Sequence, residues 1–84
     1  MYLHIGNDIV LKNNEILFIL DYDSLKENNV FIKFLANIDK KNIYDISESK
    51  PKSIVITKEK GIIKGYISNI SSSTLGKRSF IATI

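Results

Sequence analysis

The sequence predicts an α+β domain: a small, mostly antiparallel sheet with one main helix over about 24–41 and a short C-terminal helical turn over about 72–78. Short apolar, β-branched runs at 2–5, 9–11, 16–20, 53–57 and 62–70 are separated by turn residues, the pattern of short strands. Phe31, Phe34, Leu35 and Ile38 recur at spacings of three and four, the period of one helix face. A chain of 84 residues has room for one domain, taken as 1–84.

In chain order, residues 2–5 and 9–11 flank the turn signal Gly6-Asn7-Asp8 and should pair as a hairpin. Asn13-Asn14 marks a second turn. Residues 16–20 are five apolar residues in a row, which suits a strand buried on both faces. Asp23 or Ser24 can cap the helix, with Glu27 in its first turn and Lys40-Lys41 suiting its C-terminus. Residues 42–50 are polar and mixed, with Ile43, Tyr44 and Ile46 as anchors to the core. Pro51 can precede strand 53–57 but not stand within a central strand. Residues 58–61 form a turn in which Gly61 is free to take positive φ. Strand 62–70 is expected to weaken or bend at Gly65. Ser71 to Thr74 open the short helical turn, which runs to Lys77-Arg78, and 79–84 form a final strand or tail.

This layout exposes a covering problem. Strand 16–20 is apolar on both faces and strand 53–57 nearly so, yet one helix roofs only one side of a sheet. Burying one Leu or Ile side chain is worth roughly 1.5–3 kcal/mol, so several left in water would be costly and sticky. A second copy of the chain is expected to supply the missing layer; the alternative is that loop 42–49 and the C-terminal tail fold over that face.

Composition removes several function classes. With no cysteine and one histidine, His4, neither disulfides nor thiolate or multi-histidine metal sites are available. The acidic residues are scattered without metal-loop spacing, and the four glycines form no phosphate-binding loop. Ser71-Ser72-Ser73 has no base beside it, so its plain reading is a helix cap. The expectation is a binding protein, not an enzyme, with no cofactor. The N-terminal segment lacks a basic cluster before an apolar run, and no run approaches the roughly 20 residues of a membrane helix. A cytoplasmic protein with no membrane partner is expected.

Charge points to the partner. Residues 1–49 carry five lysines against eight acids, a net of −3; residues 50–84 carry seven basic residues against Glu59 alone, a net of +6. Such segregation makes a positive side that attracts polyanions, although a solvated basic edge without a partner has the same composition. Two elements concentrate it. In Ser49-Lys50-Pro51-Lys52 the proline stiffens an extended segment, and alternation sends Lys50 and Lys52 to one side. In the second, Lys77 and Arg78 lie one turn beyond Ser73 and Thr74, whose amides at a helix N-terminus suit phosphate. Lysine favours backbone contact over base reading, and no strand is rich enough in aromatics to stack single-stranded bases. Duplex DNA, gripped mainly by its backbone, is the expected partner.

Three stretches also resemble the small bacterial extracellular-matrix regulators RemA and RemB, the RemB branch most closely. They are Leu3-His4-Ile5-Gly6-Asn7-Asp8-Ile9-Val10, Pro51-Lys52-Ser53-Ile54-Val55-Ile56-Thr57, and Ile70-Ser71-Ser72-Ser73-Thr74-Leu75-Gly76-Lys77-Arg78. The resemblance, which covers nearly the whole chain, implies a DNA-binding transcriptional regulator of matrix (biofilm) genes. RemA-type proteins assemble into closed rings that bind DNA along an outer basic surface. An arginine pair before the strand equivalent to 53–57 contacts DNA in that branch; by motif it falls on Ser49 and Lys50, with Lys52 at a further basic position. A second basic position, before strand 16–20, is Glu15 here. Serine and lysine in place of arginine imply a weaker contact. An oligomeric protein-interaction module without direct DNA binding is the competing expectation.

Overall fold

The computed structural model describes residues 1–79. Strand β1 (Tyr2–Gly6) pairs antiparallel with β2 (Ile9–Lys12) as a two-stranded hairpin. A 3-10 turn over Asn13–Glu15 leads into β3 (Ile16–Asp21), followed by helices α1 (Tyr22–Leu25) and α2 (Asn29–Ala36). Then come β4 (Ile43–Asp45), β5 (Ser53–Glu59), β6 (Ile62–Ser68) and helix α3 (Ser72–Ser79). Strands β3 to β6 form one sheet in the order β3-β5-β6-β4, antiparallel except where β4 runs parallel to β6. Residues 80–84, most of the expected final strand or tail, lie outside the described residues; Ser79 belongs to α3.

Two hairpin turns set strand register, and a third left-handed pair lies in the connection from β4 to β5. Asn7 and Asp8 have φ of 48° and 60°, Glu48 and Ser49 of 54° and 67°, and Lys60 and Gly61 of 51° and 81°. Two successive left-handed residues match the twist of flanking strands, the type I′ solution for two-residue hairpins. The Lys60-Gly61 turn places Thr57 opposite Lys64 and Val55 opposite Tyr66. Strand β6 pairs without a register shift through Gly65, which stands opposite Ile56 and Ile43; the expected bend there is absent. The bend lies in β3, where a register shift between Ile16 and Phe18 turns Leu17 outward.

The expected helix over 24–41 is broken. Asp21, not Asp23 or Ser24, caps α1: its carboxylate accepts from the Ser24 amide (3.1 Å) and hydroxyl (2.8 Å). The chain then leaves the helical path at Asn28, whose side-chain oxygen accepts from the Val30 and Phe31 amides and so starts a second helix. Asparagine competes for backbone hydrogen bonds in this way, so two in a row interrupt an otherwise good apolar period. Helix α2 stops at Ala36, and Lys40-Lys41 fall in a separate 3-10 turn capped by Asp39.

Both faces of the sheet are covered by the chain itself, which corrects the expectation that a second copy must roof one of them. On one face, Leu20, Ile54 and Ile56 pack with Leu25 and Ile38, flanked by Phe18, Phe31, Phe34 and Leu35. On the other, Ile16, Ile19, Val55 and Tyr66 are roofed by Leu3, Ile5 and Leu11 of the hairpin and by Leu75 of α3. Loop 42–49 adds only a flanking contact to that roof. It supplies edge strand β4, and its Ile46 packs against the hairpin-side core.

A polar network closes the β5–β6 end of the hairpin-side face. The Glu59 carboxylate accepts from the Thr57 hydroxyl (2.6 Å) and the Tyr66 phenol (2.8 Å) and lies 3.6 Å from the Lys64 ammonium. Tyr44 stacks on Tyr66 at 5.1 Å, with Lys64 over the Tyr44 ring. Burial pushes the Glu59 carboxyl upward, but the two hydroxyl donors and Lys64 outweigh it and hold it below its ordinary value. Burial, then the Glu59 carboxylate, push the Tyr66 phenol above its own.

Two outcomes follow. Leu75→Ala, which removes a fully buried side chain, should cost about 2–5 kcal/mol, read as a lower urea midpoint at unchanged slope. Because the folded pKa of Glu59 is depressed, its stabilisation is fully present above the ordinary carboxyl value of 4.5 and is lost as pH falls through the lower folded value. Glu59→Gln should flatten that part of the stability–pH curve while leaving the region above it parallel to the wild type.

Candidate nucleic-acid interface

The first basic element is a turn and a clamp. Asp45 accepts from the Ser47 hydroxyl (2.6 Å) and amide (3.0 Å), bonds that hold its carboxyl below the ordinary range. The Lys50 amide then closes the left-handed turn by donating to the Ser47 carbonyl (3.0 Å). Lys52 is fixed from both sides: its amide donates to the Ser68 carbonyl (2.8 Å), and its carbonyl accepts from the Tyr22 amide (3.0 Å). Lys52 thus joins the end of β6 to the start of α1. Ser49, Lys50 and Lys52 are exposed while Pro51 between the lysines is half-buried, as alternation along an extended segment requires.

The second element is α3, whose position is set by buried serines. Ser53 and Ser68 face each other across β5 and β6, both with no exposed surface. The Ser53 hydroxyl donates to the Ile70 carbonyl (2.7 Å). The Ser68 hydroxyl donates to the Ile5 carbonyl (2.6 Å) and accepts from the Ile70 amide (3.0 Å). These bonds carry the chain from β6 to Ser71, which caps α3 by accepting from the Thr74 amide (3.2 Å). The Thr74 amide is therefore engaged within the cap. Ser73 is exposed and Thr74 half-buried.

Lys77 and Arg78 are exposed in the last turn of α3, about 9 Å along the axis from Ser71 at 1.5 Å per residue. Arg78 reaches β1, where its guanidinium makes a long hydrogen bond (3.4 Å) to the His4 carbonyl. The expected residues thus form two groups. Ser49, Lys50 and Lys52 sit at the end of the sheet to which the start of α3, with Ser73 and Thr74, is tied; Lys77 and Arg78 sit at the far end of α3, beside the hairpin.

The basic residues lie on a surface and not in a cleft. A groove between α2 and β6, lined by Phe34, Ile38, Asn42, Ile62 and Ile63 among others, includes none of these basic residues. Among the described residues no group of three or more His, Cys, Asp or Glu side chains could hold a metal ion. No helix of the described residues is long and apolar enough to cross a membrane.

Sequence reasoning missed the buried serines and the Glu59 network. Serine at a strand end reads as a surface residue, so Ser53 and Ser68 gave no signal. The network did leave one: Thr57 and Glu59 alternate onto one strand face, and a two-residue turn at Lys60-Gly61 places Lys64 opposite Thr57.

None of the protein-family models compared matches the chain. Over 79 residues, 94% of this chain and 90% of the other, it is 34% identical to the extracellular matrix regulatory protein B of Bacillus subtilis (strain 168). With that identity across almost all of both chains, the protein belongs to the family of extracellular matrix regulatory protein B.

Proposed function

We propose that this protein is a cytoplasmic, DNA-binding transcriptional regulator of matrix genes that acts as a homo-oligomer and grips the duplex backbone. Lys50, Lys52, Lys77 and Arg78 make the phosphate contacts, flanked by Ser49, Ser73 and Thr74. The observation that carries the reading is the clamp on Lys52. A lysine whose backbone is bonded on both sides, two residues from an exposed Lys50 and separated from it by Pro51, presents cations from a backbone that need not reorganise on binding. The relative's name, a matrix regulatory protein, supports the regulatory part.

Support for self-association comes from α2, not from the sheet. Phe31, Phe34 and Leu35 pack half-buried against the core, but Val30, Ile32 and Ala36 on the rest of the helix are exposed. Val30 is 75% and Ile32 44% exposed. Large apolar side chains on the outward side of a helix suit a covering partner. In an oligomer, each subunit needs only a few phosphate contacts, because linked sites multiply affinity without new ones.

A second reading, an oligomeric protein-interaction module without DNA contact, draws on the same α2 surface. Titration with a generic duplex in rising salt separates the two. The DNA reading expects log–log affinity to fall with a slope of about 0.9 per phosphate engaged. Lys50→Ala with Lys52→Ala should shallow that slope and weaken all duplexes alike. Absent binding at low salt would leave the interaction module. Light scattering should give a mass that is a multiple of 9.6 kDa. Val30→Asp with Ile32→Asp should reduce it to that of one chain, and an unchanged mass would exclude α2 as the contact.

A further inference from the structure

The lysines of the proposed interface grip phosphate, which carries no sequence information; a regulator also needs groups that read bases. We propose that the outer face of the β1–β2 hairpin lies in the major groove of duplex DNA and supplies them, an inference that rests on the DNA-binding reading above. The hairpin has two unlike faces. Leu3, Ile5 and Leu11 are buried against the sheet. The opposite face carries Tyr2 across from Lys12 and His4 across from Val10, all exposed, Tyr2 at 65% and Val10 at 53%.

The ribbon is held as a rigid object. Its inner face is core, the Ser68 hydroxyl bonds the Ile5 carbonyl, and the Asn13 amide donates to the Met1 carbonyl (3.0 Å) at its open end. Gly6, at the end of β1, has φ of 108°, and a Cβ there would lie 3.0 Å from the Asn69 side-chain oxygen, so this end of the hairpin packs closely on the connection from β6 to α3.

Dimensions and chemistry both fit a groove. Two strands lie about 4.8 Å apart, and the major groove, about 12 Å wide, admits a two-stranded ribbon. Lys12 can donate to guanine O6 and N7, Val10 presents methyls to a thymine methyl, and His4 and Tyr2 bring donors and acceptors for base edges. Charge agrees with this occupant. Arg78 sits against the His4 carbonyl with Lys77 beside it, so cations flank β1 where a groove wall would run. The one acidic residue of the hairpin, Asp8, is at the turn, off the paired part of the outer face.

The test uses the full chain. A duplex enriched from a random-sequence pool by the wild type is compared with a scrambled duplex of equal length at one salt concentration. The compared proteins are the wild type, Tyr2→Ala with His4→Ala, and Lys50→Ala with Lys52→Ala. The wild type should prefer the enriched duplex, and the hairpin variant should lose about tenfold or more of that preference while nearly keeping its affinity for the scrambled one. The lysine variant should weaken on both alike. Val10→Ser gives the same reading should the double variant lose its fold. A hairpin variant that discriminates as well as the wild type overturns the proposal, and so does a pool that yields no enriched sequence; in both cases the backbone-gripping role stands. A change of assembly mass in the hairpin variant overturns it too, by identifying this face as a contact between copies. No duplex binding by the wild type at low salt removes both readings together.

Discussion

Two hydroxyls with no access to solvent hold the three parts of this molecule together. Ser53 and Ser68 stand side by side on β5 and β6, and their bonds to the Ile70 and Ile5 carbonyls join the sheet to the start of α3 and to the hairpin. A buried hydroxyl is costly unless bonded, and so is a buried carbonyl; here each satisfies the other across elements distant in sequence. Leu3, Ile5 and Leu11 can therefore reach Val55 and Ile19, and Leu75 can close the same core. Without that junction the hairpin would be a two-stranded ribbon with little stability of its own.

The same junction orders the basic surface. The Lys52 amide donates to the carbonyl of Ser68, itself one of the serine pair, and α3 begins four residues later at Ser72. The lysine segment and the first turn of α3 are thus fixed to one end of the sheet by short, local bonds, while Arg78 is carried along the helix to β1. At the opposite end of β5 and β6 the chemistry differs. There Glu59 gathers two hydroxyls and a lysine beside the stacked Tyr44 and Tyr66, a satisfied network that fixes register and neutralises Lys64 within the fold.

The sequence was informative where local chemistry decides structure. The hairpin, strands β3, β5 and β6, the Gly61 turn and the Ser71 cap all follow from turn residues and β-branched runs, and the exposure of Lys50 and Lys52 follows from alternation around Pro51. It misled where a local signal outweighs a period. Asn28 captures two amides and divides a helix that the spacing of Phe31, Phe34 and Ile38 makes look continuous. It was silent on tertiary partners. Nothing in residues 1–12 says that the hairpin folds back as a roof, which is why the sheet looked uncovered. Nor does the polar stretch 42–50 announce a parallel edge strand: Ile43-Tyr44-Asp45 is too short for a period, and its place is set by β6.

The ends of the sheet carry a consequence for assembly. One border is β4, three residues long; the other is β3, kinked where Leu17 bulges out. Neither offers a long, flat row of unpaired amides on which a foreign strand could template itself. Among the described residues, the four-stranded sheet is thus steered away from fibril-like growth by backbone zipping along its own borders.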